Sequence, residues 1–173
     1  MLLWIATAVA ASLTVRAPAF TAGASIPAEY TCTGEDASPS VVWAGAPSGT
    51  QSYALIVDDP DGKNEAGGAW VHWVVFNIAA SQSQVDRNVL ITDSHFLQGK
   101  NDFKVPDSDF AAGTPAWNGP CPPVGKGPHR YNFRVYALDT TLALLVGATR
   151  AEVDGAMKGH ILAQGVLMGR FER

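Results

Sequence analysis

Acidic residues and a histidine lie at the two ends of one loop in the first half of the chain. Asp59 is among three carboxylates that follow the apolar run Tyr53–Val57, and Trp70 and His72 precede the run Val74–Ile78. An acid beside an imidazole favours the charged ring, which can bind an anion or transfer a proton. The alternative is a polar connection in which the aspartates cap turns and the tryptophan belongs to the core.

Both apolar runs predict strands, because they contain β-branched and aromatic residues and the loop between them contains turn-forming residues. The first run is apolar on both faces, which is typical of a strand buried on both sides. In the second, strict alternation places His72 on the same face as Val74 and Phe76. If the two strands are neighbours, the acid and the imidazole meet at one end of a sheet.

The rest of the chain predicts more strands and one helix. Thr149 and Glu152 have capping-box spacing, which predicts a helix near Thr149–Leu162. Segment 79–128 is the least periodic, and its Pro122-Pro123 pair indicates a stiff wall. We expect a mainly β fold of about seven strands, including 13–15, 41–43, 129–138 and 166–171.

Length and composition exclude several classes of function. A chain of 173 residues with 47% hydrophobic residues fits one globular domain. The net charge is −4 and no run of basic residues is present, so the chain lacks the positive patch with which proteins bind the phosphates of nucleic acid. No apolar stretch reaches the roughly 18 residues of a membrane span. No motif for a metal, a phosphate loop or an activated nucleophile is present, so we predict no metal and no cofactor.

The N-terminus has the character of an export signal. Leu2–Ala10 is an uncharged apolar run, and it ends in a small-x-small sequence typical of a cleavage site. The positive charges of a usual leader are missing, so residues 1–12 would be a truncated signal peptide and 13–173 the domain. An ordinary first strand is the alternative. We expect an exported, periplasmic protein, with a cytoplasmic location as the alternative.

The polar residues that remain form a scattered set of two histidines, one aspartate, aromatic residues and a Pro-rich loop. They are Asp59, His72, His129, Trp70, Tyr131 and the loop Gly119–Pro123. Two imidazoles, backbone amides and a rigid wall would suit a small anion.

Four segments resemble the signature elements of the phosphatidylethanolamine-binding protein family, in its bacterial, Raf kinase inhibitor-like branch. They are Asp59-Pro60-Asp61, Trp70-Val71-His72-Trp73, Gly119-Pro120-Cys121-Pro122-Pro123 and His129-Arg130-Tyr131. Gln98-Gly99-Lys100-Asn101-Asp102-Phe103 is similar to that branch as well, and the resemblance runs from about Leu13 to Phe171. It implies one large and one small antiparallel sheet with few peripheral helices.

The resemblance also implies an anion pocket at one end of the fold. Its ligand-binding residues would be Asp59, Trp70, His72, Gly119, Cys121, Pro122, Pro123, His129 and Tyr131. The sequence departs from the family pattern after Asp61, where Gly62-Lys63 replaces the usual Ala-Pro and leaves the placement of the acid open.

The counterparts of Cys32 and Cys121 flank the same end of the fold in the family that the chain resembles. Two cysteines in an exported domain more often pair than stay free, so we predict a disulfide between them. Two buried free thiols are the alternative.

Three functions remain open from the sequence. The first is a non-catalytic protein that binds a small anion such as phosphate or a phospholipid headgroup. The second is an interaction module that inhibits a protein partner, either a kinase or a protease. The third is a lyase or hydrolase that uses His72 or His129 as a general base.

Overall fold

The computed structural model describes residues 11–90, 92–104 and 113–173, so the leader expected at Leu2–Ala10 lies outside the described residues. The fold is mainly β, as predicted. The described residues form nine strands, one α-helix and a short 3₁₀ turn at Ala28–Tyr30. The strands are β1 (Ala11–Ser12), β2 (Thr14–Arg16), β3 (Val41–Ala44), β4 (Ser52–Lys63), β5 (Ala69–Ala79), β6 (Gln84–Val85), β7 (Leu97–Gly99), β8 (His129–Leu138) and β9 (Ile161–Phe171), and helix α1 is Arg150–Met157.

The strands form a large and a small sheet. The large sheet has six strands in the order β1-β9-β8-β4-β5-β7, and the small sheet has the order β2-β3-β6. Neighbouring strands are antiparallel except for the two-residue β1, which runs parallel to β9. Within the described residues, no helix is long and apolar enough to cross a membrane.

The large sheet has a hydrophobic core on each of its faces. Leu55 and Val57 of β4 pack in the cluster that includes the small sheet, whereas Ala54 and Ile56 pack in the cluster under α1. All of these side chains are fully buried. The prediction of a strand buried on both sides is therefore confirmed, and β4 is an interior strand of the large sheet.

A β-bulge overturns the predicted placement of His72. Val57 pairs with Trp73 and Asp58 with Val71, so His72 is an extra residue on β5 with no partner in register. Val74 and Phe76 pack in the cluster under α1, whereas the His72 ring packs against Tyr131, which belongs to the cluster on the opposite face. The predicted shared face was wrong because strict alternation holds only where the register is unbroken.

The helix is shorter than predicted. Its capping box is present, because the Thr149 side chain accepts from the backbone N–H of Glu152 and the Glu152 carboxylate accepts from the N–H of Thr149. The helix ends at Met157, and Gly159 has a left-handed φ of 85°. The chain then enters β9 at Ile161, five residues before the predicted start, because Ile161 pairs with Leu138 of β8.

Candidate functional site

A cavity of about 470 Å³ opens at one end of the large sheet, where β4 ends and β5 and β8 begin. Eight of the nine ligand-binding residues predicted from the resemblance line it. The lining comprises Asp59, Asp61, Gly62, Lys63, Trp70, His72, Phe103, Cys121, Pro122, Pro123, Lys126, His129 and Tyr131. Antiparallel pairing of β4 with both neighbours brings these distant segments together.

Asp59 is held in the cavity by three hydrogen bonds. Its Oδ1 accepts the backbone N–H groups of Asp61 and Gly62 at 2.8 and 2.9 Å, and its Oδ2 accepts the Nδ1–H of His129 at 2.7 Å. An Asx turn thus holds the carboxylate. A side chain at Gly62 would come within 3.0 Å of Asp59 Oδ2, so the glycine leaves room for this acid.

Asp61 forms an ion pair with Arg130 at the rim of the cavity. The guanidinium donates Nη2–H to Oδ1 at 2.7 Å and Nε–H to Oδ2 at 3.0 Å. Hydrogen bonds from Arg130 lower the pKa of Asp61 to about 2. The second acid of the cavity is therefore ionised and neutralised by its partner.

His72 is held by the loop that leads to the segment Gly119–Pro123, which we call the proline wall. Its Nδ1–H donates to the carbonyl of Asn118 at 2.6 Å, and the Asn118 N–H donates to the carbonyl of His72 at 3.2 Å. The ring is packed between Tyr131 and Phe103, with centroids 5.2 and 5.1 Å away. Only 2% of the residue is exposed, and burial lowers its pKa even though the Asn118 carbonyl and Asp59 favour the charged form.

Tyr131 brings an unused polar group to the cavity. The residue is fully buried, and its hydroxyl has no hydrogen-bond partner among the described residues. Burial raises the pKa of this hydroxyl, and the negative charges of Asp59 and Asp61 raise it further. The hydroxyl therefore keeps its proton at neutral pH.

The proline wall is fixed at three points. Cys32 and Cys121 form the predicted disulfide, and their Cα atoms are 5.4 Å apart. The carbonyl of Pro122 accepts Nε–H of Arg173 at 2.7 Å, and the N–H of Gly119 donates to Asp36 at 2.8 Å. A wall held in this way keeps its shape when the cavity is empty.

Gly119 is the one predicted residue that does not line the cavity. A side chain at this position would lie 2.3 Å from the carbonyl oxygen of Tyr30 and from Asp36 Oδ1. The glycine is therefore needed for close packing behind the wall, and its place in the signature is explained without contact to a ligand.

Sequence reasoning did not select five residues that line the cavity, which are Asp61, Gly62, Lys63, Phe103 and Lys126. Phe103 lies in a segment that the resemblance covered, and its ring packs edge-on against Trp70 at 5.5 Å. Asn101 positions it, because its Oδ1 accepts the N–H of Phe103 at 3.0 Å. No periodicity or motif marks Lys126, which lies in a glycine-rich turn after the wall.

In the described parts of the chain, no three His, Cys, Asp or Glu residues are grouped in a way that could hold a metal ion. The histidines of the cavity are bonded to Asp59 and to a backbone carbonyl instead.

Comparison with known proteins decides the family. The sequence model of the phosphatidylethanolamine-binding protein family matches residues 16–172. The chain belongs to this family. A relative in the phosphatidylethanolamine-binding protein family, the UPF0098 protein of Methanothermobacter thermautotrophicus, is 41% identical over 165 residues, which cover 93% of this chain and 99% of the relative.

Two further relatives in the family bear on fold and location. The crystal structure of CT736 from Chlamydia trachomatis, described as a phosphatidylethanolamine-binding protein homologue, superposes with a TM-score of 0.80 at 34% identity. It covers 94% of this chain and 98% of that chain. LppC of Mycobacterium tuberculosis, named as a candidate lipoprotein, is 36% identical over 160 residues, which cover 92% of this chain and 72% of LppC.

Proposed function

We propose that the protein binds a small phosphate-like anion, either free or as the headgroup of a phospholipid, and performs no chemistry of its own. One observation carries the proposal. The buried hydroxyl of Tyr131 has no partner among the described residues, and Tyr131 lines the cavity together with His72 and His129. A buried polar group without a partner is costly, and a ligand would relieve that cost.

The charges around the cavity support an anion. Asp59 already accepts three hydrogen bonds, and Asp61 is neutralised by Arg130. Lys63 and Lys126 line the same cavity and lie exposed at its surface. A ligand therefore meets lysines, a hydroxyl donor and two imidazoles, and the carboxylates are already occupied.

The cavity lining favours binding over catalysis. In the part of the chain that the structure describes, no serine or threonine lines the cavity, and Cys121 is held in a disulfide. His129 and Asp59 form a pair that could act as a base, but the described lining offers no serine, threonine or free thiol for the pair to activate. Binding without turnover is the function that these groups support best.

Calorimetric titration with phosphate or phosphoethanolamine, at about pH 5.5 and about pH 8, tests the proposal. Protonated imidazoles donate charge-assisted hydrogen bonds, so binding should be tighter at the lower pH. Absence of saturable binding at either pH would refute the proposed function.

We also propose that the protein is exported. The disulfide and the similarity to LppC, a candidate lipoprotein, support this location. Fractionation of cells that express the natural gene, with an immunoblot of each fraction, should find the chain outside the cytoplasm. Recovery in the cytoplasm with reduced thiols would favour the cytoplasmic alternative.

A further inference from the structure

A tight turn follows the proline wall and brings the chain back to the cavity. The N–H of Lys126 donates to the carbonyl of Pro123 at 3.3 Å, which closes a β-turn. Gly125 is the third residue of this turn and has a left-handed φ of 74°, close to the value that a type II turn requires at that position. Lys126 comes directly after the bend and is part of the cavity lining.

Arg173 attaches this turn to the large sheet by two hydrogen bonds. Its carbonyl accepts the N–H of Gly125 at 2.9 Å, and its Nε–H donates to the carbonyl of Pro122 at 2.7 Å. Arg173 follows β9, and the last pair of that strand is with His129 of β8. The backbone that carries Lys126 is therefore anchored to the sheet, so less of it has to be ordered when a ligand binds.

The charged groups around Lys126 are already paired with other residues. Asp59 and Asp61, the acids in the lining, bind His129 and Arg130. Lys63, another lysine of the lining, donates from Nζ to the carbonyl of Pro60 at 3.3 Å. Within the residues that the structure describes, the ammonium group of Lys126 forms no hydrogen bond and no ion pair. This cation is therefore available to a ligand in the cavity.

We propose that Lys126 recognises the charge of the bound anion and that Arg173 positions it by holding the turn. This inference rests on the proposed function and names the residue that gives the cavity its preference for anions. The ammonium group has three N–H donors and no acceptor, so it binds an oxyanion and repels a cation. Lys63 contributes less, because its ammonium group is already bonded to a carbonyl.

The test measures the affinity for inorganic phosphate by calorimetry at two ionic strengths. They are about 10 mM and about 1 M, between which the Debye length falls from about 30 to about 3 Å. Lys126→Gln should bind phosphate about tenfold more weakly at the lower ionic strength, since it loses a hydrogen bond to a charged group. Its affinity should also depend less on salt, which a merely structural role of the side chain would not produce. Phosphate binding by Lys126→Gln at the strength of the natural chain would overturn the inference.

Three variants serve as controls for Lys126→Gln. Lys126→Arg keeps the charge, so it should keep both the affinity and its salt dependence. Lys63→Gln should lose less affinity than Lys126→Gln, and an equal or larger loss would overturn the inference. Lys158→Gln removes an exposed cation that follows α1 and does not line the cavity, so it should bind like the natural chain. A loss in this variant as large as in Lys126→Gln would assign the effect to net charge and refute the inference.

A double-mutant cycle tests the part played by Arg173. Arg173→Met removes the Nε–H donor and should weaken phosphate binding several-fold. In the Lys126→Gln background the same change should have little effect, because no cation is left to position. Losses that add would refute the positioning role, since a direct electrostatic effect or a general effect on the wall would act independently of Lys126. If the natural chain binds no phosphate, the proposed function is refuted, whereas binding that Lys126→Gln fully retains refutes only this inference.

Discussion

At the scale of single residues, the two histidines of the cavity have different surroundings. His129 is paired with Asp59, whereas His72 is buried against aromatic rings and a carbonyl. His129→Ala should weaken phosphate binding by roughly 1.5–3 kcal/mol, because it removes a charge-assisted hydrogen bond. His160→Ala is the control, since His160 is paired with Asp139 at the other end of β8, roughly 30 Å away at about 3.3 Å per residue. If the two variants bind phosphate with equal affinity, His129 is not part of the binding site.

Tyr131→Phe should separate binding from stability. The hydroxyl has no partner among the described residues, so removing it should leave the free energy of unfolding unchanged or raise it. Phosphate affinity should nevertheless fall by roughly 0.5–1.5 kcal/mol, the net value of one neutral hydrogen bond. Urea denaturation and calorimetry on the same variant measure both quantities. A stability loss of more than about 1 kcal/mol with unchanged affinity would show that the hydroxyl serves only the core.

At the scale of elements, the disulfide determines how firmly the wall is held. It closes a chain separation of 89 residues, and Cys121 itself lines the cavity. Replacing both cysteines by serine should lower the free energy of unfolding by roughly 2–5 kcal/mol and weaken phosphate binding. Thiol titration of the natural chain in denaturant without reductant should find no reactive thiol. Two reactive thiols would contradict the bond.

The sequence predicts an element well where the repeat of apolar residues along the chain is not interrupted. The runs of β4 and β8 and the capping box of α1 were predicted because local pattern and tertiary packing agree there. The bulge at His72 was not predictable, because an extra residue in one strand is defined only by the register of its partner. The early end of α1 depends in the same way on the pairing of Ile161 with β8.

The candidate site was predicted from its signature and not from spacing. Asp59, His72 and His129 are separated by many residues, and only the antiparallel pairing of β4 with β5 and β8 brings them to one cavity. Phe103 and Lys126 were missed because loop residues carry no period from which a position can be inferred.

At the scale of the whole molecule, His72 couples the stability of the fold to pH. Its pKa is lowered on folding, so the unfolded chain binds more protons than the folded chain between that pKa and about 6.5. The stabilisation is complete above about pH 6.5 and is lost as the pH falls below it, by at most about 1.4 kcal/mol per pH unit. Urea denaturation across this range should show the slope in the natural chain. In His72→Gln the slope should fall by the equivalent of one proton, and an unchanged slope would assign the effect to other groups.

The most direct test of the binding site is a crystal structure of the natural chain soaked with phosphate or phosphoethanolamine at acidic pH. We predict density for one tetrahedral anion in the cavity, within hydrogen-bond distance of Tyr131 Oη, His72 Nε2 and His129 Nε2, with the proline wall unmoved. An empty cavity in a protein that binds the same anion saturably in solution, or an anion bound away from these three atoms, would contradict the proposed site.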